Sequence, residues 1–397
     1  MLKTIALVNP LWDGHHPTYF YYFTKTLLEL GNRVLAFCSA PTELRKMVLN
    51  DLNCDDRFQV FKLPELQDSR FFGKGFRSTS IAIKRWKLAN TAIKQAGATI
   101  KLTPDLVFFG ALDIYLPPYF LTPIIIDRIF PYDWSGLYFQ PRHLRIKQKF
   151  ASIRQGCFTP HSALQASRCK SVAVLDEGVA ESLKNKIQKP VITFPDIADA
   201  SKPDPEFELV QEIKIQARSR KIVGLLGSLS KRKNLLMLLD VAKQVPDSQY
   251  FFIFIGTLDR STFSPEELIK IENIVNSKPT NCFFYFNRIP KECQFNALIS
   301  ACDILFAVYK NFSASSNFLT KSALFKKPII VSQNYCMGER VKNFNLGVCI
   351  QEDSKSQCIK ALNEVCNTSS LEAKFEEYAK LHSLQRLYLD FAEILKS

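Results

Sequence analysis

The sequence predicts an α/β protein built from two Rossmann-like, doubly wound domains facing a cleft. Three observations carry this. Short apolar runs alternate with amphipathic helical stretches, which implies parallel sheets covered on both faces. The alternation restarts at Lys221. At 397 residues the chain also exceeds what one core usually serves.

In the first half, Thr4–Asn9 reads as a buried strand and residues 17–30 as a helix ended by Gly31. Residues 33–39 form the next strand, followed by a helix through Leu49. "FQVFKL" adds a third strand, residues 81–95 a long helix, and "DLVFFG" and "TPIIID" complete the parallel set. In the second half, strands fall at "IVGLLG", "YFFIFIG", "CFFYF", "CDILFAV", "PIIVS" and "GVCI". Residues 1–195 are expected to form the first domain, 196–220 a polar linker, and 221–370 the second domain. Residues 371–397 are expected to form a helix packing back toward the first domain.

Composition narrows the classes. Basic residues outnumber acidic ones 52 to 38, favouring phosphate-rich partners or anionic membrane surfaces. The eleven cysteines show no CxxC pair and no zinc-type spacing, so they fit a reducing compartment as small buried hydrophobes. "MLKTIALVNPLW" runs into Trp12-Asp13-Gly14 and reads as a first strand, not a signal peptide. No apolar run is long enough to span a bilayer. Acid-free basic stretches cover residues 69–104 and 142–154, and Ile146, Phe150 and Ile153 share a helical face. Such segments suit a cytoplasmic protein resting peripherally on an anionic inner membrane face, or simply form solvated surface. No RNA- or DNA-binding motif accompanies the charge, so nucleic acid is not an expected partner.

Three constellations carry chemistry. In "NPLWDGHHPTYF", Gly14 permits close backbone approach, and His15 and His16 open the next helix, as ligand groups or as caps. In "GSLSKRKN", Gly227 ends a strand, while Ser228, Lys231, Arg232 and Lys233 lie at the top of a helix. Cations there oppose the macrodipole, a conflict that a bound diphosphate relieves; the alternative is a solvated charge run. In "SASSNFLTK", Ser315, Ser316 and Asn317 are strong capping residues, whose free N–H groups form an anion seat or cap an ordinary helix.

These motifs resemble those of GT-B glycosyltransferases, nearest the family-4-like group known as glycosyltransferase group 1. In that family a strand ending in Gly-Arg leads to a Lys-Gly pair that grips the donor diphosphate. Gly227 and Lys233 match, whereas Ser228 and Asn234 stand where Arg and Gly are usual. The family also carries two glutamates eight positions apart, ahead of a "Gly-Lys-Pro-Val-Ile" strand. Lys327-Pro328-Ile329-Ile330 matches that strand, but Ser313 and Lys321 replace both glutamates. A lysine cannot accept hydrogen bonds from ribose, so Lys321 is expected to meet a phosphate or an acidic sugar. "GHHPTYFYYFTKTLLELGNRVLAF" is similar to the family's N-terminal Gly-rich loop, helix and strand.

The resemblance implies a glycosyltransferase moving a sugar from a nucleoside diphosphate sugar to a glycan or lipid-linked acceptor. It implies no cofactor, and the sequence has no Asp-x-Asp motif to hold a metal. His15, His16 and Asp113 are the expected catalytic groups. Gly14, Gly227, Ser228, Lys231, Lys233, Ser315, Ser316, Asn317 and Lys321 are the expected donor-binding groups. Asp127, Arg128, Trp134 and Tyr138 are expected at the acceptor, or as salt bridges and loop anchors. Resemblance favours a retaining reaction, although the missing glutamates remove its main support. A non-catalytic GT-B-like protein binding a glycan or partner, and a nucleotide-sugar epimerase, are the alternatives.

Overall fold

A computed structural model describes residues 2–51, 56–64, 74–117, 122–145, 160–367 and 373–396. The chain divides into two compact units, residues 1–195 with 384–397, and residues 196–383.

Unit 1 opens with β1 (Thr4–Asn9), α1 (His16–Glu29), β2 (Arg33–Cys38), α2 (Pro41–Asp51) and β3 (Phe58–Lys62). It continues through α3 (Lys74–Ile100), β4 (Leu106–Phe109), α4 (Thr122–Ile129), β5 (Trp134–Tyr138) and α5 (Arg142–Arg145). β6 (Cys169–Val174), α6 (Glu177–Ile187) and β7 (Val191–Thr193) complete its sheet. Unit 2 holds α7 (Glu208–Ala217), β8 (Lys221–Leu226), α8 (Leu235–Ala242), β9 (Tyr250–Ile255), α9 (Pro265–Asn276) and β10 (Cys282–Tyr285). Then follow α10 (Glu292–Ala301), β11 (Ile304–Ala307), α11 (Asn317–Leu324), β12 (Ile329–Ser332), α12 (Tyr335–Phe344), β13 (Gly347–Ile350), α13 (Lys355–Asn367) and α14 (Phe375–Leu381). The last helix, α15 (Leu384–Ile394), belongs to unit 1.

Among the described residues the strands form two parallel sheets, ordered β3-β2-β1-β4-β5-β6-β7 and β10-β9-β8-β11-β12-β13. Each order reverses once, at β1/β4 and at β8/β11. Loops leaving those strand pairs diverge to opposite faces and open a crevice at their carboxyl ends, where ligands of doubly wound sheets bind. The inner strands are buried on both faces, as their continuous apolar runs require: every residue of β1 and of β9 is buried.

The structure corrects three expectations. "TPIIID" is not a strand but the start of α4. Thr122, Ile126 and Phe130 are buried while Ile124 is exposed, a four-residue spacing that suits one helical face. Three strands were not expected, β5, β6 and the three-residue β7; the Trp-Ser-Gly start of β5 reads like a turn, and Gly136 is required there because a Cβ would meet Phe109 O at 2.8 Å. The expected linker contains α7, which buries Leu209, Val210, Ile213 and Ala217 in the unit 2 core. Finally, the expected C-terminal helix is two helices broken at His382 and Ser383, with residues 371 and 372 outside the described ones. α14 packs on α11 and α12, and α15 packs on α1.

α15 carries a buried charge. The Asp390 carboxyl is almost completely buried, and Arg386 donates to its Oδ1 at 2.9 Å, while Oδ2 has no partner. Burial pushes its pKa up to about 6, against the opposing pull of Arg386. An aspartate raised from about 3.9 holds its proton longer in the folded state, so stability falls as pH rises from about 4 to about 6. Asp390→Asn should remove a pH-dependent change of about 3 kcal/mol. Thermal melts of wild type and variant from pH 4 to 7 would show the difference; parallel curves would rule out a buried, unpaired Oδ2.

Candidate functional site

The two crevices hold most of the chemistry. In unit 2, β8 ends at Leu226, and Gly227 follows with φ +90°. A Cβ at Gly227 would meet Lys233 Nζ at 2.9 Å, so glycine leaves the space that the ammonium fills. Lys233 is half-buried, and its Nζ donates to Leu226 O at 2.8 Å. Burial, then the neighbouring Arg232 charge, pull its pKa down to about 7. No carboxylate pairs with it among the described residues. Asn234, standing where the family has glycine, takes φ +62° and ψ 34°, the left-handed conformation glycine would supply. Its Nδ2 donates to Glu352 O, which fixes the turn. This departure from the family pattern preserves the backbone.

Across the same crevice, the segment after β11 presents Tyr309 and Phe312. The Arg232 guanidinium lies 5.3 and 4.8 Å from their ring centres, and Lys233 Nζ lies 5.7 Å from that of Tyr309. The two aromatic partners of Arg232 lie more than 70 residues away and leave no signal in the local sequence. Ser228 is exposed. Lys231 is engaged elsewhere, donating to Glu267 at 2.7 Å, so it is a bridge to α9 and not a free cation.

α11 begins as expected, with Ser316 accepting from Phe318 N at 3.4 Å as N-cap. Asn317 is its first residue. Ser315 is taken up by a buried network: its hydroxyl donates to Asp196 and accepts from Arg340. Lys321 is corrected. Its side chain is 5 % exposed, and Nζ donates to Glu292 Oε2 at 2.8 Å, Asn296 Oδ1 at 2.6 Å and Asp199 O at 3.3 Å. The ammonium that replaces the family's glutamate is spent inside unit 2, not offered to a phosphate.

In unit 1, Gly14 follows β1 with φ +57° and open space where a Cβ would stand. His15 is the N-cap of α1, yet its ring makes no capping bond. His16 packs edge-on against Phe139 at 5.2 Å, and its buried Nδ1 has no partner. Burial lowers its pKa, more than Asp13 raises it, so the ring is neutral at pH 7. Asp113, after β4, accepts from Phe139 N at 2.8 Å and Gln140 N at 2.9 Å. Burial nevertheless pushes its pKa up to about 6. His16 and Asp113 thus converge on the segment leaving β5. Beside them, Pro10, Leu11, Leu63, Leu88, Ile114 and Tyr115 line a cavity of about 230 Å³, with Arg85 at its wall.

The acceptor expectations are corrected. Trp134 is fully buried in the unit 1 core against Trp86, at 5.0 Å. Tyr138 is buried, its hydroxyl 3.4 Å from His143 Nδ1. Asp127 accepts from Ser167 N at 2.9 Å and Arg168 N at 3.4 Å, just before β6 begins. It and exposed Arg128 therefore sit toward the amino ends of the strands, opposite the crevice. Lys84, Lys87, Lys94 and Lys101 are exposed, but the amphipathic face of Ile146, Phe150 and Ile153 lies outside the described residues. Among the described residues no helix is long and apolar enough to cross a membrane.

Residues 208–382 match the family "Glycosyl transferases group 1". HepE of Anabaena, solved in complex with UDP, is 12 % identical with a TM-score of 0.67, covering 100 % of both chains. Sucrose-phosphate synthase from Thermosynechococcus elongatus is 15 % identical with a TM-score of 0.64, over 99 % of this chain and 98 % of that one. The N-terminal domain of Candida albicans trehalose-6-phosphate phosphatase is 14 % identical, with a TM-score of 0.65, over 99 % and 96 %. No curated protein sequence matches the chain. The fold is GT-B, and residues 208–382 of unit 2 are similar to the group 1 glycosyl transferases.

Proposed function

We propose that the protein is a metal-independent glycosyltransferase that moves a sugar from a nucleoside diphosphate sugar to a hydroxyl of a glycan or lipid-linked acceptor. The observation that carries this reading is Lys233. It is an ammonium without a carboxylate partner, at the crevice of a group 1 domain, with its pKa pulled down to about 7. A diphosphate beside it would supply the missing countercharge, and the ammonium would in turn stabilise charge developing on the departing phosphate. The UDP bound to HepE supports a nucleotide donor for this scaffold.

Unit 1 supplies the acceptor groups in this reading. In the transfer, the bond between the sugar C1 and the phosphate oxygen breaks, and a bond from the acceptor oxygen to C1 forms. The hydroxyl proton goes either to the Asp113 carboxylate or to the leaving phosphate, giving inversion or retention respectively. With a pKa of about 6, Asp113 is mostly ionised at pH 7 yet basic enough to accept a proton. Neutral His16, with Nδ1 unpartnered, can orient the acceptor hydroxyl. The apolar cavity and Arg85 suit an acceptor with an apolar portion and an anionic group.

Release of nucleoside diphosphate from UDP-glucose, GDP-mannose and ADP-glucose, with and without glycan and lipid-linked acceptors, tests the reading. Turnover should fall below about pH 6 as Asp113 protonates. Asp113→Asn should reduce kcat about a hundredfold or more while leaving nucleotide affinity unchanged. An unaltered kcat would remove Asp113 from the reaction. A second reading, non-catalytic ligand binding, draws on the loss of both family glutamates, Ser313 and Lys321 being buried. Nucleotide binding without turnover for any donor would favour it.

A further inference from the structure

The unit 1 cavity has one charged wall. Leu11 follows β1, Leu63 follows β3, and Ile114 and Tyr115 follow β4, so it lies at the carboxyl ends of the strands. α3 supplies Arg85 and Leu88. Arg85 is half-buried, and its guanidinium donates to Ile114 O at 3.1 Å. The next side chain, Trp86, donates to the next carbonyl, Tyr115 O, at 2.8 Å. Consecutive α3 side chains therefore hold the turn Leu112–Tyr115 that carries Asp113, and the guanidinium is fixed before any ligand arrives. Among the described residues no carboxylate pairs with Arg85. The sequence from 69 to 104 contains no acid, so α3 cannot supply one. One bond to a carbonyl leaves most of the guanidinium donors, and its charge, unanswered at an apolar wall.

The place of Arg85 also fixes where on a ligand the answering charge belongs. Its partner Ile114 is adjacent in the chain to Asp113, with Cα atoms about 3.8 Å apart. A group paired with Arg85 therefore stands beside a hydroxyl that meets Asp113. The rest of the lining is apolar, and about 230 Å³ holds on the order of eight non-hydrogen atoms at about 30 Å³ each. We propose that Arg85 is the specificity-determining residue of the acceptor site. It selects acceptors whose anionic group lies on the same unit as the accepting hydroxyl, with a short apolar tail in the cavity. This rests on the transferase reading above and adds the placement of the acceptor's charge. A guanidinium fork pairs bidentately with a carboxylate or phosphate. A charge at the tip of the tail would instead enter apolar surroundings without a partner and lose affinity.

Matched glycosides separate the charge from its placement. Hexyl glucoside is neutral, hexyl glucuronide and hexyl glucoside 6-phosphate carry the anion on the sugar, and 5-carboxypentyl glucoside carries it at the tail. Calorimetric titration of the whole chain at pH 7 needs no sugar donor. Wild type should bind the tighter of the two sugar-charged probes at least about tenfold better than hexyl glucoside. It should bind 5-carboxypentyl glucoside no better than hexyl glucoside. Arg85→Met should lose the preference and keep the hexyl glucoside affinity, while Arg85→Lys, with the charge but not the fork, should keep part of it. Leu88→Trp, which fills the cavity, should weaken all four. A preference that survives Arg85→Met would overturn the proposal, as would an equal gain from the tail carboxylate. An equal loss for charged and neutral probes in Arg85→Met would make Arg85 a packing residue and overturn it too. So would binding of no probe by wild type. None of these touches the transferase reading if Asp113→Asn still abolishes release of nucleoside diphosphate. Probes that bind as expected in a protein with no turnover would keep this site and strike that reading.

Discussion

Lys233→Ala should weaken nucleoside diphosphate binding by about fiftyfold, and the affinity of the wild type should fall as pH rises above 7. The magnitude follows from one charge-assisted hydrogen bond to phosphate in a half-buried site, about 2–3 kcal/mol. The pH dependence follows from linkage. In the free protein, burial and Arg232 hold the Lys233 pKa down to about 7. A bound diphosphate adds negative charge beside the ammonium and raises that pKa. Between the two values, binding must take up a proton, so affinity drops by up to tenfold per pH unit. Below pH 7 the proton is already present and this group contributes no slope. Phosphate itself titrates near pH 6, so the clean window is pH 7 to 9. Calorimetry in two buffers of different ionisation enthalpy should give nearly one proton taken up at pH 8.5 in wild type and none in Lys233→Ala. Zero uptake in both would mean that Lys233 does not meet the anion.

Restoring the family's residue at position 321 should damage the protein. Lys321 Nζ is surrounded by acceptors, Glu292 Oε2, Asn296 Oδ1 and Asp199 O. A glutamate in its place would bury a carboxylate facing oxygens, with no donor to answer it. Breaking a buried pair in this way costs about 3–5 kcal/mol, toward the lower end here because Glu292 is 53 % exposed and can turn to water. Lys321→Glu should therefore lower the urea midpoint of unit 2 sharply without raising activity. Lys321→Glu with Glu292→Lys, which exchanges the charges, should recover part of the loss. A Lys321→Glu protein as stable as wild type would mean that the site tolerates a carboxylate, and the buried lysine would need another explanation.

The strands and their carboxyl-end loops were legible because a doubly buried parallel strand leaves a continuous apolar run, as in "YFFIFIG". β5, β6 and β7 were missed: "WSGLY" mixes a small residue and a glycine into its run, "CKSVAV" opens on polar residues and β7 has three residues; the glycine is needed where β5 crosses Phe109, a contact invisible in local sequence. α4 was misread because "PIII" is apolar enough for either structure, and only the outward Ile124 betrays a helix. At the site, Gly227, Lys233 and the His16–Asp113 neighbourhood were readable from their places at strand ends. Lys321 was not, since its partner Glu292 lies 29 residues away on α10. Asn234 looked like a lost glycine, yet asparagine is the other residue that tolerates a left-handed turn.

Unit 2 should bind a nucleoside diphosphate through Lys233. Calorimetric titration of the whole chain with UDP, GDP, ADP and CMP, beside Lys233→Ala, tests it most directly. Micromolar, one-to-one binding of one nucleoside diphosphate is expected, weakened about fiftyfold in the variant. Binding by none of them, or binding equally tight without Lys233, would contradict it.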